Sequence, residues 1–188
     1  WVDVENGVAA VAIGSLLGLT EQELREGLES FAGVYRRCNM HVRTSRVCYI
    51  DDYAHHPSEL QASIDSVSKL YPKRKIIGVF QPHLFSRTRD FADEFAEVLT
   101  KCDKILLLPI YPAREKPIPS VTSEWLRDKI EELGKQGEVV SKNLLATSIR
   151  QLVQTYLDNQ QECVVLTMGA GDIDRLVEEI KQNLNAYE

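Results

Sequence analysis

The chain lacks most of what would mark a membrane, secreted or nucleic-acid-binding protein. Its four cysteines (Cys38, Cys48, Cys102 and Cys163) form no CxxC pair. Neither a disulfide framework nor structural zinc is therefore expected; three of the four sit in or beside apolar strand-like runs, where cysteine behaves as a small hydrophobe. A reducing cytoplasm is the natural setting. No apolar run approaches the ~20 residues of a membrane span, and Trp1-Val2-Asp3-Val4-Glu5 lacks the charged-then-apolar order of a signal peptide. The start without Met reads as a fragment or a processed product. A net charge of −6 leaves no basic surplus to neutralise phosphates, which argues against a nucleic-acid partner. The phosphate-loop pattern GxxxxGK[ST] is absent, and no serine or cysteine stands in a nucleophile elbow.

What is present is a change of pattern along 188 residues, enough for one good core plus a small appendage. Residues 6–18 read as a small-residue helix stopped by a glycine. Thr20-Glu21-Gln22-Glu23 then has the form of a capping box and opens a second helix to about Phe31. No strand separates the two, so they form a helical hairpin. From Gly33 the sequence alternates between strand and helix patterns. Strands are predicted at 40–44, 46–51, 75–80, 104–108, 138–141 and 162–167, with helices near 57–70, 86–100, 120–133, 143–157 and 172–186. Alternation of this kind implies βαβ units. The expected fold is α/β: a Rossmann-like, mostly parallel six-stranded sheet flanked by helices, preceded by the short hairpin. The strand at 40–44, close to its neighbour, is expected to pair antiparallel at an edge.

Unusual polar residues gather where predicted strands end, the edge at which open α/β sheets bind ligands. Asp51-Asp52-Tyr53-Ala54-His55-His56-Pro57 holds two carboxylates and half of the four histidines. One acid, or Ser58, could cap the following helix, yet capping does not need two acids and two imidazoles. A metal site here would lack a third ligand. In Gln81-Pro82-His83-Leu84-Phe85-Ser86-Arg87-Thr88-Arg89-Asp90, two arginines fall at a helix start, where the macrodipole disfavours cations. An anion held there would explain them; pairing with Asp90 or Asp93 is the alternative. Arg36-Arg37 read either as a solvated linker pair or as a phosphate contact in a cleft. Tyr111–Pro119, with three prolines in nine residues, is an irregular loop on the same edge. Gly169-Ala170-Gly171-Asp172 is a lone GxG, readable as a tight turn with Asp172 as N-cap. It comes too late in the chain to be a dinucleotide fingerprint.

Taken in order, Gly33-Val34-Tyr35-Arg36-Arg37, the DDYAHHP segment, Phe80-Gln81-Pro82-His83 through Arg87-Thr88-Arg89-Asp90, the Tyr111–Pro119 loop and Gly169-Ala170-Gly171-Asp172-Ile173 resemble the C-terminal part of the Mur ligases, and within them the alanine-adding branch. The resemblance covers essentially the whole chain, and its DDYxHHP and QPHxxxRTRD pair is specific. It implies a three-domain, ATP-dependent enzyme of peptidoglycan synthesis that joins L-alanine to UDP-N-acetylmuramate through an acyl-phosphate. Residues 1–32 are then the helical end of the central ATPase domain, and 33–188 the C-terminal domain that helps bind ATP and the amino acid. By position, Arg37 is implied to contact ATP phosphate and Asp52 the ribose hydroxyls. Tyr53, His55 and Arg87 are implied beside the amino acid, with Arg37, His55 and Arg87 as the catalytic set. Mg²⁺ ligands and the phosphate loop are implied to lie outside this chain, so the chain alone is expected to be inactive. Two departures stand out. Val2 and Asp3 occupy positions where the family reads His-Asn, and Leu84 stands where many members carry an arginine that helps hold the alanine carboxylate. A related branch that recycles murein tripeptide shares DDxAHHP, and a standalone nucleotide-binding module is a further alternative.

Overall fold

The computed structural model describes residues 2–31 and 33–187. Trp1 and the expected boundary residue Ala32 lie outside them. The chain divides into two compact units, the first ending at Tyr35 and the second starting at Arg36.

In the first unit, α1 (Val2–Leu16) and α2 (Glu21–Ser30) form the expected hairpin. The capping box is real: the Glu23 N–H donates to Thr20 Oγ1, and the Thr20 N–H donates to Glu23 Oε2 at 2.8 Å. The first helix begins earlier than its small-residue run suggests. Its apolar side chains stay largely exposed, among them Val8, Ile13 and Leu16, as do Leu17 and Phe31.

The second unit is a six-stranded sheet in the order β1-β2-β6-β3-β4-β5. Its strands are β1 (Asn39–Arg43), β2 (Val47–Asp52), β3 (Lys75–Phe80), β4 (Lys104–Leu107), β5 (Gly137–Val139) and β6 (Cys163–Met168). Every pairing is parallel except that of β1 with β2, which forms the expected antiparallel edge. Because β2 and β6 are buried on both faces, their residues run continuously apolar until the last few positions. Alternation divides them between two cores. Cys48 and Ile50 pack with α3 (Pro57–Leu70), α5 (Ala92–Leu99) and α6 (Ser123–Glu132). Val47 and Tyr49 pack on the other face with α7 (Lys142–Asp158) and α8 (Val177–Leu184). Helices on both faces thus cover the sheet.

Three expectations need correction. The segment 86–100 is not one helix: α4 (Phe85–Asp90) ends at Phe91, where φ −119° and ψ 23° break the ladder before α5. The last helical segment opens with a 3₁₀ turn over Asp172–Leu176 before α8. Finally, the strand expected at 138–141 is the shorter β5, Gly137–Val139.

Candidate functional site

The chain returns to the middle of the sheet with β6, which inserts between β2 and β3. This crossover places the ends of β2, β3 and β6 side by side. Asp52 pairs with Met168, and Met168 with Phe80, so the three polar segments that follow start level with one another. Ligands bind at such a switch point in open α/β sheets.

The first segment divides its labour between neighbours. Asp51 points inward, 1% exposed, where Arg36 Nε donates to Oδ2 at 3.2 Å and Thr167 Oγ1 donates to Oδ1 at 2.8 Å. Arg36 also donates to the Gly169 carbonyl, which ties the start of the unit to the loop after β6. Of the arginine pair, Arg36 is therefore the structural member. Arg37 is exposed and makes no ion pair among the described residues; its guanidinium lies 5.9 Å from the centre of the Tyr53 ring. Asp52 accepts from Ser63 Oγ at 2.9 Å, Cys38 Sγ at 3.2 Å and the Ala54 N–H at 3.2 Å. These three donors orient the carboxylate at the strand end.

The histidines separate in the same way. His55 Nδ1 lies 3.0 Å from the Tyr53 carbonyl and 3.2 Å from Glu59 Oε2. Both neighbours are acceptors, so Nδ1 acts as the donor towards them and Nε2 is the ring nitrogen left for a substrate. His56 instead turns onto Phe91, 4.6 Å between ring centres. The helix-capping expectation is corrected here. Neither Asp51, Asp52 nor Ser58 caps α3; His56 is the cap residue, and Glu59 reaches back to the N–H groups of His55 and His56. Burial opposes ionisation of Glu59, but these donors hold its carboxyl below the usual value.

His83 is the residue that sequence reasoning passed over. Its ring lies 6.2 Å from His55 and stacks on Tyr111 at 5.6 Å and 22°. Burial, with the Arg87 charge and His55, depresses its pKa, so it is neutral at pH 7. Arg87 Nη1 sits 3.5 Å from His83 Nδ1, and Arg87 pairs with no carboxylate among the described residues. Arg89 takes the alternative course: it is exposed and bonds Asp90 at 2.7 Å. The segment therefore offers one unpaired cation, at Arg87, beside two imidazoles. The cue in the sequence was His83's own place after β3.

The GxG loop is explained by packing. A Cβ at Gly169, where φ is +143°, would lie 2.8 Å from the Gln81 carbonyl; one at Gly171 would collide with Gln81 Oε1 and with Tyr111. Gly171, not Asp172, holds the N-cap position. Asp172 accepts from Gln81 Nε2 at 2.8 Å and from Lys142 Nζ at 2.6 Å, and the Ile173 N–H donates back to Gln81. Burial opposes, but the Lys142 and Gln81 donors prevail and hold the Asp172 pKa low. Gln81 thus locks two strand-end loops together. Among the described residues no cluster of three His, Cys, Asp or Glu side chains could hold a metal ion, and no helix is long and apolar enough to cross a membrane.

The chain's relatives share this architecture. It is 49% identical over 183 residues to the UDP-N-acetylmuramate–L-alanine ligase of Parabacteroides distasonis, covering 97% of the chain and 37% of the relative. It is 50% identical over 183 residues to the protein of the same name from Porphyromonas gingivalis, covering 97% and 38%. The crystal structure of a UDP-N-acetylmuramate–alanine ligase from Thermotoga maritima superposes with a TM-score of 0.77 at 25% identity, over 100% of this chain and 39% of that one. The chain thus spans less than two-fifths of the length of the relatives it matches. The family model for the Mur ligase, glutamate ligase domain matches residues 36–171, from the buried arginine that opens the second unit to the glycine of the last strand-end loop, and the chain belongs to the Mur ligase family.

Proposed function

We propose that this chain is the C-terminal part of an ATP-dependent ligase that joins L-alanine to UDP-N-acetylmuramate in peptidoglycan synthesis. One observation carries the reading: in a Mur ligase domain, Asp52, Arg37, Tyr53, His55 and Arg87 meet at one sheet edge, and neither of these arginines makes an ion pair among the described residues. The names of the relatives support the choice of alanine and UDP-N-acetylmuramate as substrates.

ATP supplies the phosphoryl group that turns the muramate carboxylate into an acyl-phosphate. Asp52 and Arg37 are suited to hold the nucleotide, the first by accepting from ribose hydroxyls and the second by its uncommitted charge. Arg87 meets the anionic groups of the amino acid and the acyl-phosphate. His55 Nε2 offers an acceptor for the ammonium that must lose a proton before it attacks the acyl carbon, while His83, whose Nδ1 faces Arg87, presents Nε2–H as a donor. The amine nitrogen forms the new C–N bond as phosphate leaves. Such chemistry depends on positioning and charge stabilisation more than on a protein nucleophile. Mg²⁺ and the phosphate loop belong to the part of the enzyme outside this chain, and the setting is the cytoplasm.

Within this reading residues 1–32 close the central ATPase domain and residues 33–188 form the C-terminal domain. The exposed apolar side chains of the hairpin support the division, as does the family match that begins only at Arg36. The test is an assay of the full-length protein. ADP release is expected to require both UDP-N-acetylmuramate and L-alanine, with one amide product formed per ATP. Turnover with a muramate-free murein tripeptide but not with alanine would overturn the reading in favour of a recycling ligase. Residues 1–188 alone are expected to hydrolyse no ATP in response to alanine.

A further inference from the structure

The proline-rich loop after β4 is bound to the segment that carries His83 and Arg87. The Tyr111 N–H donates to the Pro82 carbonyl at 2.8 Å, and the Leu84 N–H donates to the Tyr111 carbonyl at 2.9 Å. These bonds form a short parallel bridge between His83 and Tyr111, on which their rings stack. Leu84 itself sits at φ +69° and occupies the N-cap position of α4, where a leucine has nothing with which to cap. The missing cap comes from 29 residues downstream. The Ser86 N–H donates to Glu115 Oε2 at 2.9 Å, and the Ser86 hydroxyl donates to Glu115 Oε1. Glu115 is in turn fixed by its own N–H, which donates to the Pro112 carbonyl at 2.9 Å. The Ser86 donors hold its carboxylate below the usual range, so it stays charged.

Ser86 directly precedes Arg87. Whatever fixes the first turn of α4 therefore fixes the root of the one unpaired cation in the segment. The same loop sets the plane of the His83 ring through Tyr111. Asp52 and Arg37, by contrast, follow from β2 and the start of the unit, and share no hydrogen bond with the loop among the described residues. From this asymmetry we propose that Glu115 is a positioning residue: it caps α4 from outside the helix and so aims Arg87 at the anionic group of the amino-acid substrate. The inference rests on the reading of the chain as an amino-acid-adding ligase. It deepens that reading by assigning control of the amino-acid side, and not the nucleotide side, to the loop.

Steady-state kinetics of the full-length enzyme test it, with ATP and L-alanine varied separately. Glu115→Ala is expected to raise KM for alanine about tenfold or more, the scale of losing a charge-assisted hydrogen bond. KM for ATP should stay within about twofold. Glu115→Gln, whose amide oxygen can still accept from the Ser86 N–H, should recover most of the loss. Ser86→Ala leaves that N–H in place and should cost less than Glu115→Ala. Equal rises in both KM values, no rise at all, or a fall in kcat that follows only a lowered melting temperature would overturn the proposal. If the wild type rejects alanine but accepts another amino acid or peptide, the choice of substrate fails. The KM ratio measured with that acceptor then still decides the role of Glu115.

Discussion

Two adjacent arginines show how little residue type alone decides. Arg36 and Arg37 have the same charge and reach, yet the first is 6% exposed and neutralises a buried carboxylate while the second stays free. Their substitutions should therefore separate stability from activity. Arg36→Ala strands Asp51 in the core without its partner and should destabilise the domain by about 3–5 kcal/mol. Arg37→Ala should change stability by less than about 0.5 kcal/mol, as an exposed side chain without an ion pair. In the full-length enzyme the same Arg37→Ala change should lower kcat/KM for ATP roughly 10- to 100-fold. Urea denaturation of the domain and ATP-dependent kinetics would check the contrast. If Arg36→Ala kept full stability, the buried pair would not be holding Asp51. Residue type left open which arginine was structural, and only the family resemblance pointed to Arg37 as the phosphate contact. Adjacent residues in a bend face different ways, and only β2 and the Gly169 carbonyl select the one that turns inward.

The same is true of whole segments. Helix periodicity marked α3 and α7 well because their apolar stripes face the sheet. It missed the break at Phe91, since apolar residues continue on both sides and the interruption comes from α4 being anchored at Leu84 and Ser86 by the loop after β4. The GxG loop offers a test of how tightly such segments interlock. Gly171→Ala puts a methyl group into Gln81 Oε1 and within 2.7 Å of Tyr111 Cβ. It should cost about 1–3 kcal/mol, the usual scale of overpacking. It should also loosen the Gln81–Asp172–Lys142 chain, because Gln81 must shift to make room. A lowered urea midpoint with unchanged slope would bear this out; a neutral substitution would mean that the loop has slack.

For the molecule as a whole, titration offers a check on the placement of its histidines. Burial lowers the pKa of His83, with Arg87 and His55 adding to the effect and Glu115 opposing it. Burial also lowers that of His41, helped by Lys181 and opposed by Asp51 and Glu178. Below the ordinary imidazole value of 6.5 the unfolded chain therefore binds protons that the folded state resists. Stability is then complete above that pH and falls as the pH drops from it towards the folded values. Glu59 and Asp172, both lowered, add a second loss at more acidic pH. Melting temperature measured from pH 8 to pH 4 should show the first decline beginning near 6.5, and His83→Gln should remove part of it. A flat profile between about pH 7.5 and 5.5 would contradict the burial of both rings.

The sequence by itself determined the order of strands and helices, the antiparallel edge and the clustering of polar residues at strand ends. These follow from local periodicity and from turn chemistry within a few residues. It also carried the family motifs DDYAHHP and QPHLFSRTRD, and its local patterns put both at strand ends. The tertiary structure decided what no local pattern encodes. The return of β6 between β2 and β3 is a long-range choice, and it brings Arg36 to Gly169 and Gln81 to Asp172 across 133 and 91 residues. That topology buries Arg36 and leaves Arg37 exposed, turns His56 onto Phe91, and leaves Arg87 rather than Arg89 without a carboxylate partner among the described residues. It also recruits His83 and Glu115, whose parts depend on neighbours distant in sequence.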